Sequence, residues 1–329
     1  MNTYFLGIDT GGSKSHALLA DAAGHVLAFA NAGPGNPEAI GYDGLARVLH
    51  ELTREVLKRS GLRLSDIVGA GFGIGGYDWP SQRHAMLQAI QATGLQAPIG
   101  LVNDALIALL AGAAQGWGVA VVAGTSCNAW GQDATGNQGR MVGQGDWAGE
   151  GAGAMELVAE AIKAVARAWT RQAPPTNLTQ ALIRRVQARD AADLLEGLNL
   201  GRFELDASAA PLIFHVAAQG DAVAHDLILW AGRQLGNMAN GIIRQLHFEN
   251  QAFEIVLAGS FYNGSKHLLE AMRGQVRLLA PNARFVHLQA PPVVGGVLLA
   301  AKQAGYAPLS LRQQLLQSTH SLLIDSTWR

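Results

Sequence analysis

The sequence is poor in cysteine, in charge and in long apolar runs. Cys127 is the single cysteine among 329 residues, which excludes an intrachain disulfide and a metal site built from cysteines. Charged residues make up 15% of the chain and the formal net charge is −1, so the charge balance does not indicate nucleic acid or an anionic membrane as a partner. No apolar stretch approaches the ~18 residues that a membrane-spanning helix needs, and we expect a cytoplasmic protein without a membrane anchor.

The chain also lacks the P-loop pattern G-x-x-x-x-G-K-[S/T], the signature of one large class of nucleotide-binding proteins. Glycine is abundant instead, with 40 residues against 11 prolines and no repeat period. This frequency is typical of many tight turns and of backbone that approaches a ligand closely. A chain of 329 residues is long enough for two packed lobes.

Apolar runs and helical patterns alternate along the chain, which indicates an α/β fold with mixed sheets. In the first part, we predict strands at 4–9, 15–21, 25–30, 67–76 and 99–102, and helices from Asp43 to Gly61, after 79–82 and from 103. The first three strands are expected to form a meander. The first lobe is expected to cover residues 1–115.

The second part begins with another group of strands, which hairpins through "QDATGNQ" and returns by "GRMVG". We expect a second lobe over residues 116–329, with a mostly helical insertion at about 152–247. A strand at 253–260 runs into a glycine turn, and helix, strand and helix follow it.

Two local patterns leave a functional and a structural interpretation open. "DTGGSK" offers closely spaced backbone N–H groups for a phosphate, but Gly-Gly between two strands is equally typical of a plain hairpin. Asp104 opens a helical pattern, where a carboxylate could accept a proton from a substrate hydroxyl or could merely cap the helix.

Six segments in order resemble the phosphate, connecting and adenosine motifs of the superfamily of sugar kinases, actin and heat-shock ATPases. They are "GIDTGGSKSHALLADAAGHVLA", "VNDALIALLAG", "VVAGTSCNAWG", "GEGAGAMELV", "VLAGSFYNGS" and "PPVVGGVLLAA". Within that superfamily the chain is most similar to the N-acetylglucosamine and glucosamine kinases of the BadF/BadG-type ATPase family. The resemblance covers about residues 4 to 304.

This resemblance implies a two-lobed actin-like ATPase (ribonuclease H-like) fold, in which each lobe holds a mixed five-stranded sheet with flanking helices. ATP and the sugar would bind in the cleft between the lobes, with Mg²⁺ as the metal. The protein would be an amino-sugar kinase, most simply an N-acetylglucosamine kinase, and we expect a homodimer.

Site residues follow from the same resemblance. Asp9 would hold Mg²⁺ through water, and Asp104 would be the catalytic base. ATP would be bound by Gly11, Gly12, Ser13, Lys14, Thr125, Ser126, Gly259, Ser260, Gly295 and Gly296. The sugar would contact Asn36, Asn103, Asp104, Asn128, Asp146 and Glu150.

Two segments depart from the family pattern. The second phosphate motif usually reads Gly-Thr-Gly-Ser, whereas residues 124–127 read Gly-Thr-Ser-Cys. The later motif commonly reads Gly-Asp-Glu-Gly-Ser, whereas residues 148–152 read Ala-Gly-Glu-Gly-Ala, so a carboxylate expected near the sugar is missing unless Asp146 replaces it. The sequence therefore predicts the type of reaction more closely than the identity of the substrate.

Other functions stay open at this point. The substrate could be glucosamine or another hexose, and a non-catalytic sugar sensor could use the same scaffold. The ATPases that activate reductases or dehydratases join around an iron–sulfur cluster, and Cys127 would supply only half of a four-cysteine set across a dimer.

Overall fold

The structure is a computed structural model that describes the backbone of residues 3–324. It contains two five-stranded sheets with helices on both sides, as the sequence predicts. No helix in this part of the chain is long and apolar enough to cross a membrane.

The first sheet has the strand order β3-β2-β1-β4-β5. Its strands are β1 (Tyr4–Thr10), β2 (Ser15–Asp21), β3 (Val26–Ala32), β4 (Ile67–Ile74) and β5 (Ile99–Val102). The expected meander is confirmed, because β2 pairs antiparallel with both β1 and β3. β4 lies parallel to β1 and to β5, so the glycine-rich ends of β1 and β4 meet at one edge of the sheet.

The second sheet repeats this topology in the order β10-β9-β6-β7-β8. Its strands are β6 (Gly118–Ala123), β7 (Cys127–Gln132), β8 (Gln138–Arg140), β9 (Glu254–Ala258) and β10 (Arg284–His287). The hairpin between β7 and β8 is confirmed. β6 takes the central place that β1 has in the first sheet, and it pairs antiparallel with β7 and parallel with β9.

The helices are α1 (Pro37–Ser60), α2 (Arg83–Gln91), α3 (Asp104–Gly112), α4 (Ala154–Trp169), α5 (Leu178–Val186), α6 (Ala191–Asn199), α7 (Ala210–Ala218), α8 (Ala222–Gln245), α9 (Lys266–Arg277), α10 (Val293–Gln303) and α11 (Pro308–Ile324). α4 to α8 fill the stretch predicted to be mostly helical. The prediction that α1 begins at Asp43 was wrong, because Asn36 caps the helix more than one turn earlier. Gly41 interrupts the start of the helix with a φ of 69°.

α10 is the most deeply buried helix around the first sheet, with residues 293–301 all buried. It packs against β1, β4 and α3, although 180 or more residues separate it from each of them in the sequence. The approach is close because glycines face each other: a Cβ on Gly295 would overlap the carbonyl oxygen of Ile107, and one on Gly296 would lie 3.0 Å from the Cα of Gly7. The lobe boundary near residue 115 stays a prediction.

We predict that Gly295→Ala destabilises the protein by at least about 2 kcal/mol, because the added methyl group has no space between α10 and α3. Gly274→Ala in α9 is the matched control. A Cβ there meets nothing within 4 Å, so it should stabilise by about 0.5 to 1 kcal/mol through helix propensity. Urea unfolding of both variants measures the difference, and equal stabilities would contradict this packing.

Candidate active site

A central cavity of about 460 Å³ lies between the two sheets. Its walls come from the turn after β1, the start of α3, the end of β9 and the loop before α10. The predicted site residues among its lining are Asp9, Gly11, Gly12, Ser13, Lys14, Asp104 and Gly259. The structure thus collects, around one space, residues that are up to 250 positions apart in the sequence.

The turn at residues 11–14 is closed by a hydrogen bond from the Gly11 N–H to the Lys14 carbonyl oxygen (3.0 Å). Gly12, Ser13 and Lys14 are exposed, and a Cβ on Gly12 would meet nothing within 4 Å. An anion can therefore approach this backbone without a side chain in the way.

Asp9 lies in β1 between the buried residues Ile8 and Thr10 and remains accessible from the central cavity, with 15% of its side chain exposed. His16 lies opposite Asp9 in the β1–β2 register, with its Nδ1 atom 3.8 Å from the Asp9 carboxylate. That nitrogen is buried and, among the described residues, has no hydrogen-bond partner. Sequence reasoning missed His16, although the hairpin register of the two strands could have indicated it.

Asp104 is the first residue of α3, and the capping role belongs to Asn103. The Asn103 side chain accepts a hydrogen bond from the Ala105 N–H (2.9 Å), so the interpretation of Asp104 as the cap is wrong. The pKa of Asp104 is raised to about 7, first by burial and then by the negative charges of Asp9 and Asp78. A carboxylate of this kind exchanges its proton near neutral pH.

A second cavity of about 500 Å³ lies in the second lobe. Its lining combines the backbone of the β6–β7 turn with apolar side chains, and includes Gly124, Thr125, Pro211, Phe214, Ser260 and Phe261. Thr125 and Ser126 lie in that turn, where both are exposed and Thr125 lines the cavity; their contact with phosphates stays a prediction. Gly259 and Ser260 connect the two cavities, because Gly259 lines the central cavity and Ser260 lines this one.

Gly259 could not be replaced by another residue type without strain. Its φ is 106°, and a Cβ would overlap the Ala123 carbonyl oxygen at the end of β6. The end of β9 therefore turns sharply beside the end of β6, and the glycine is required by this backbone contact.

Two of the predicted sugar residues converge on Asp78, which the sequence interpretation missed. The side-chain amides of Asn103 and Asn128 both donate to its Oδ1 atom, at 3.1 and 3.3 Å. Asp78 is 3% exposed, and burial raises its pKa to about 6 against the opposing effect of the Asn128 hydrogen bond. Because Asn103 follows the first sheet and Asn128 belongs to the second, Asp78 links both sides of the cleft.

Glu150 stabilises a loop through backbone hydrogen bonds. Its carboxylate accepts hydrogen bonds from the backbone N–H groups of Val142, Gly143 (2.7 Å) and Gln144 (3.1 Å). Asp146 is in the same loop, where it lies against Gly151.

Asn36 lies across a glycine turn from Asp104. Its Oδ1 atom accepts a hydrogen bond from the Glu38 N–H (2.8 Å). A Cβ on Gly75 would lie 3.3 Å from the Asp104 carboxylate, and one on Gly76 would overlap Asn36. Of the predicted sugar residues, only Asp104 lines the central cavity; the others, Asn36, Asn103, Asn128, Asp146 and Glu150, line neither the central nor the second cavity.

Gly295 and Gly296 occupy a different place from the rest of the predicted nucleotide contacts. Both are buried inside α10 and pack against α3 and β1, and the cavity wall beside them is formed by Pro291 and Pro292. The structure gives these two glycines a packing role, which differs from the predicted contact with a nucleotide.

A family model for the BadF/BadG/BcrA/BcrD ATPase family matches residues 6–300. The chain belongs to this family. ATP use follows from the family, and the phosphate-accessible turns and the two-cavity cleft agree with it.

Two curated relatives are similar to this chain over nearly their whole lengths. The N-acetylmuramic acid/N-acetylglucosamine kinase of Clostridium acetobutylicum is 25% identical over 303 residues, covering 91% of this chain and 99% of the relative. The N-acetyl-D-glucosamine kinase of Dictyostelium discoideum is 25% identical over 310 residues, which cover 90% of this chain and 97% of that relative.

Among solved structures, a candidate N-acetylglucosamine kinase from Chromobacterium violaceum superposes with a TM-score of 0.68 at 23% identity. The match covers 90% of this chain and 98% of that chain. This similarity shows the fold, the two-lobed actin-like ATPase architecture that the sequence predicts.

We predict that Gly12→Ala weakens ADP binding by at least about tenfold, which corresponds to about 1.4 kcal/mol, because its methyl group would occupy the space of the phosphates. Since a Cβ at Gly12 meets no protein atom within 4 Å, the melting temperature should stay within about 2 °C of the wild-type value. Calorimetric titration with ADP and a thermal melt measure the two quantities. Gly274→Ala serves as the control, since it also adds a methyl group in open space but lies outside the cavity lining.

Proposed function

We propose that this protein is an ATP-dependent amino-sugar kinase, and specifically an N-acetylglucosamine kinase that transfers the γ-phosphoryl group to a sugar hydroxyl. The observation that carries this proposal is the position of Asp104. It faces the same cavity as Asp9, the turn at residues 11–14 and the Gly259 turn, so a proton acceptor lies where glycine-rich backbone from both lobes meets.

In the reaction, the acceptor hydroxyl donates a hydrogen bond to the Asp104 carboxylate and attacks the γ-phosphorus. The new bond joins the sugar oxygen to phosphorus, the bond from the γ-phosphorus to the bridging oxygen breaks, and ADP leaves. The proton passes to Asp104, whose pKa of about 7 suits both accepting and releasing it at neutral pH.

The nucleotide would lie across the two cavities. Its phosphates would contact the turn at residues 11–14 and the β6–β7 turn at Thr125 and Ser126, and its nucleoside would fill the second cavity beside Ser260 and Phe214. This arrangement keeps the transferred group next to Asp104 and leaves the remainder of the central cavity for the acceptor.

The residues present fit a magnesium ion bound mainly through the nucleotide. Asp9 supplies a carboxylate at the central cavity. Within residues 3–320, the structure contains no group of three or more Asp, Glu, His or Cys side chains that could hold a metal ion without other ligands. Mg²⁺ usually takes one or two protein carboxylates together with phosphate oxygens and water. When bound, it would neutralise phosphate charge, while Asp9 orients its water shell and Asp104 remains free to take the proton.

N-acetylglucosamine is the substrate named in both curated relatives, one of which also acts on N-acetylmuramic acid by its name. Asn103 and Asn128 stay predicted sugar contacts, although in the structure their side-chain nitrogens donate to Asp78 and the Asn103 oxygen accepts from the Ala105 N–H. Glucosamine and other hexoses remain alternatives. A homodimer stays a prediction.

A screen of ADP release over N-acetylglucosamine, N-acetylmuramic acid, glucosamine and glucose tests the proposal. We expect release that depends on an amino sugar and a product that carries one phosphate by mass spectrometry. If sugars raise the melting temperature without any ADP release, the protein is a sensor. An iron-containing purified protein with sugar-independent ATPase activity would point to the activator function.

We predict that Asp104→Ala lowers the turnover number by about 10²- to 10⁴-fold, the usual contribution of a general base, while the affinity for ADP changes by less than about threefold. Asp190→Ala is the matched control, because Asp190 caps α6 and the variant should lose about 1 kcal/mol of stability and no activity. Retained turnover in Asp104→Ala would overturn the assignment of the base.

We also predict a pH dependence with a definite sign. Because the pKa of Asp104 is raised to about 7 and the ionised form is the active base, kcat/KM should fall about tenfold per pH unit below about 7 and level off above it. Asp78→Asn removes one of the negative charges that raise this pKa and should move the midpoint to lower pH. An unchanged midpoint in Asp78→Asn, or a flat profile between about pH 5.5 and 8 in the wild type, would contradict the role of Asp104 as the titrating base.

A further inference from the structure

A third cavity, of about 180 Å³, lies beside the start of α3. We call it the Arg140 cavity. It is lined by Tyr77, Asp78, Trp79, Pro80, Leu101, Val102, Asn103, Trp130, Gln138 and Arg140. Its walls come from both lobes, since Asn103 precedes α3 and Arg140 ends β8.

Arg140 is the cation of this cavity, and its guanidinium group is held in place by stacking. The guanidinium carbon lies 4.1 Å from the centre of the Trp79 ring and 5.9 Å from that of Trp130. One terminal nitrogen donates to the carbonyl oxygen of Asp78. Stacking on a ring face leaves the edge of the guanidinium plane available for in-plane hydrogen bonds.

The charge of Arg140 is not neutralised by an ion pair within the part of the chain whose side chains are described. Asp78 is the nearby acid, but its Oδ1 atom accepts the amides of Asn103 and Asn128, and Arg140 contacts its backbone carbonyl. A half-buried guanidinium with unused donors is the group that recognises a carboxylate in a bidentate manner.

The indole N–H of Trp130 is a second hydrogen-bond donor that favours a ligand with acceptor oxygens. Trp130 is 6% exposed, and its indole Nε1 atom is buried without a hydrogen-bond partner among the described residues. Trp130 and Arg140 are direct cross-strand partners in the β7–β8 pair, so the two donors come from one face of the hairpin. Buried donors without partners are rare and costly, and a ligand oxygen would satisfy this one.

The Arg140 cavity lies near Asp104, the proposed base. Asn103 lines it, and the next residue, Asp104, lines the central cavity. Asp78, at the wall of the Arg140 cavity, is close enough for its charge to raise the pKa of Asp104. A sugar whose hydroxyl reaches Asp104 would therefore lie near Asn103 and Asp78, two residues that also line the Arg140 cavity.

We propose that the Arg140 cavity binds an acidic substituent of the acceptor sugar, so that the kinase accepts amino sugars that carry a carboxylate. The inference rests on the proposed function and extends its substrate class. Arg140 supplies the charge and the paired N–H donors, Trp130 supplies its indole N–H, and Trp79 holds the guanidinium group.

The test compares kcat/KM for N-acetylmuramic acid, the lactyl ether of N-acetylglucosamine, with kcat/KM for N-acetylglucosamine itself. Arg140→Gln should lower the ratio of acidic to neutral sugar by about 10- to 100-fold, mainly through KM of the acidic sugar, as expected for loss of a charge-assisted hydrogen bond. Arg140→Lys keeps the charge without the planar fork, and its ratio should fall between those of the wild type and Arg140→Gln. Arg63→Gln, which removes an 83% exposed arginine, should leave the ratio unchanged.

Trp130→Phe provides a second measurement, because it removes the unpartnered N–H and keeps a ring in the β7–β8 pair. It should also lower the ratio, by about 3- to 10-fold. An equal loss of kcat/KM for both sugars in Arg140→Gln would overturn the inference, because it would show that the cavity binds a neutral group. Turnover of N-acetylglucosamine without any turnover of N-acetylmuramic acid would overturn it as well, whereas failure of every sugar would overturn the proposed function instead.

Discussion

The close contact of α10 with β1, β4 and α3 is the constraint on which the site depends. β1 carries Asp9 and α3 begins with Asp104, so one helix packed against both elements sets the separation of the two carboxylates. Glycines at the contact, Gly7 in β1 and Gly295 and Gly296 in α10, allow backbones to approach to a distance that any side chain would prevent. The positions of the two carboxylates thus depend on glycines that need not contact a ligand themselves.

Three carboxylates, Asp9, Asp78 and Asp104, are concentrated at the cleft of a chain whose net charge is −1. Their burial is unfavourable for folding and raises the pKa values of Asp78 and Asp104, and repulsion by Asp9 and Asp78 raises that of Asp104 further. In the proposed reaction the same environment serves catalysis, because a raised pKa lets Asp104 exchange a proton near neutral pH. The cation Arg140 lies at the edge of this group and stacks on Trp79, which leaves its donors available to a ligand.

Local patterns were sufficient to predict most strands, the helical stretch between the sheets and the glycine turns, because hydrophobic periodicity and turn residues act over a few positions. The start of α1 was missed because Gly41 interrupts the helical backbone, whereas Asn36 and Pro37 open the helix before it. Asp78 was missed because its partners, Asn103 and Asn128, lie 25 and 50 positions away. Gly295 and Gly296 were predicted to bind ATP from their resemblance to a family motif. A motif does not show which face of a helix lies toward the cavity.

The sequence by itself determined the α/β class, the turn at residues 11–14 beside Asp9, and Asp104 at the start of a helix, since each of these follows from residues that are neighbours in the chain. Only the tertiary structure decided that Asn103 is the cap, that burial and neighbouring charges raise the pKa of Asp104 to about 7, and that Trp130 and Arg140 share a cavity with Asn103. The physical reason is that burial, electrostatic repulsion and unpartnered donors arise between segments brought together by folding, and no local pattern encodes them.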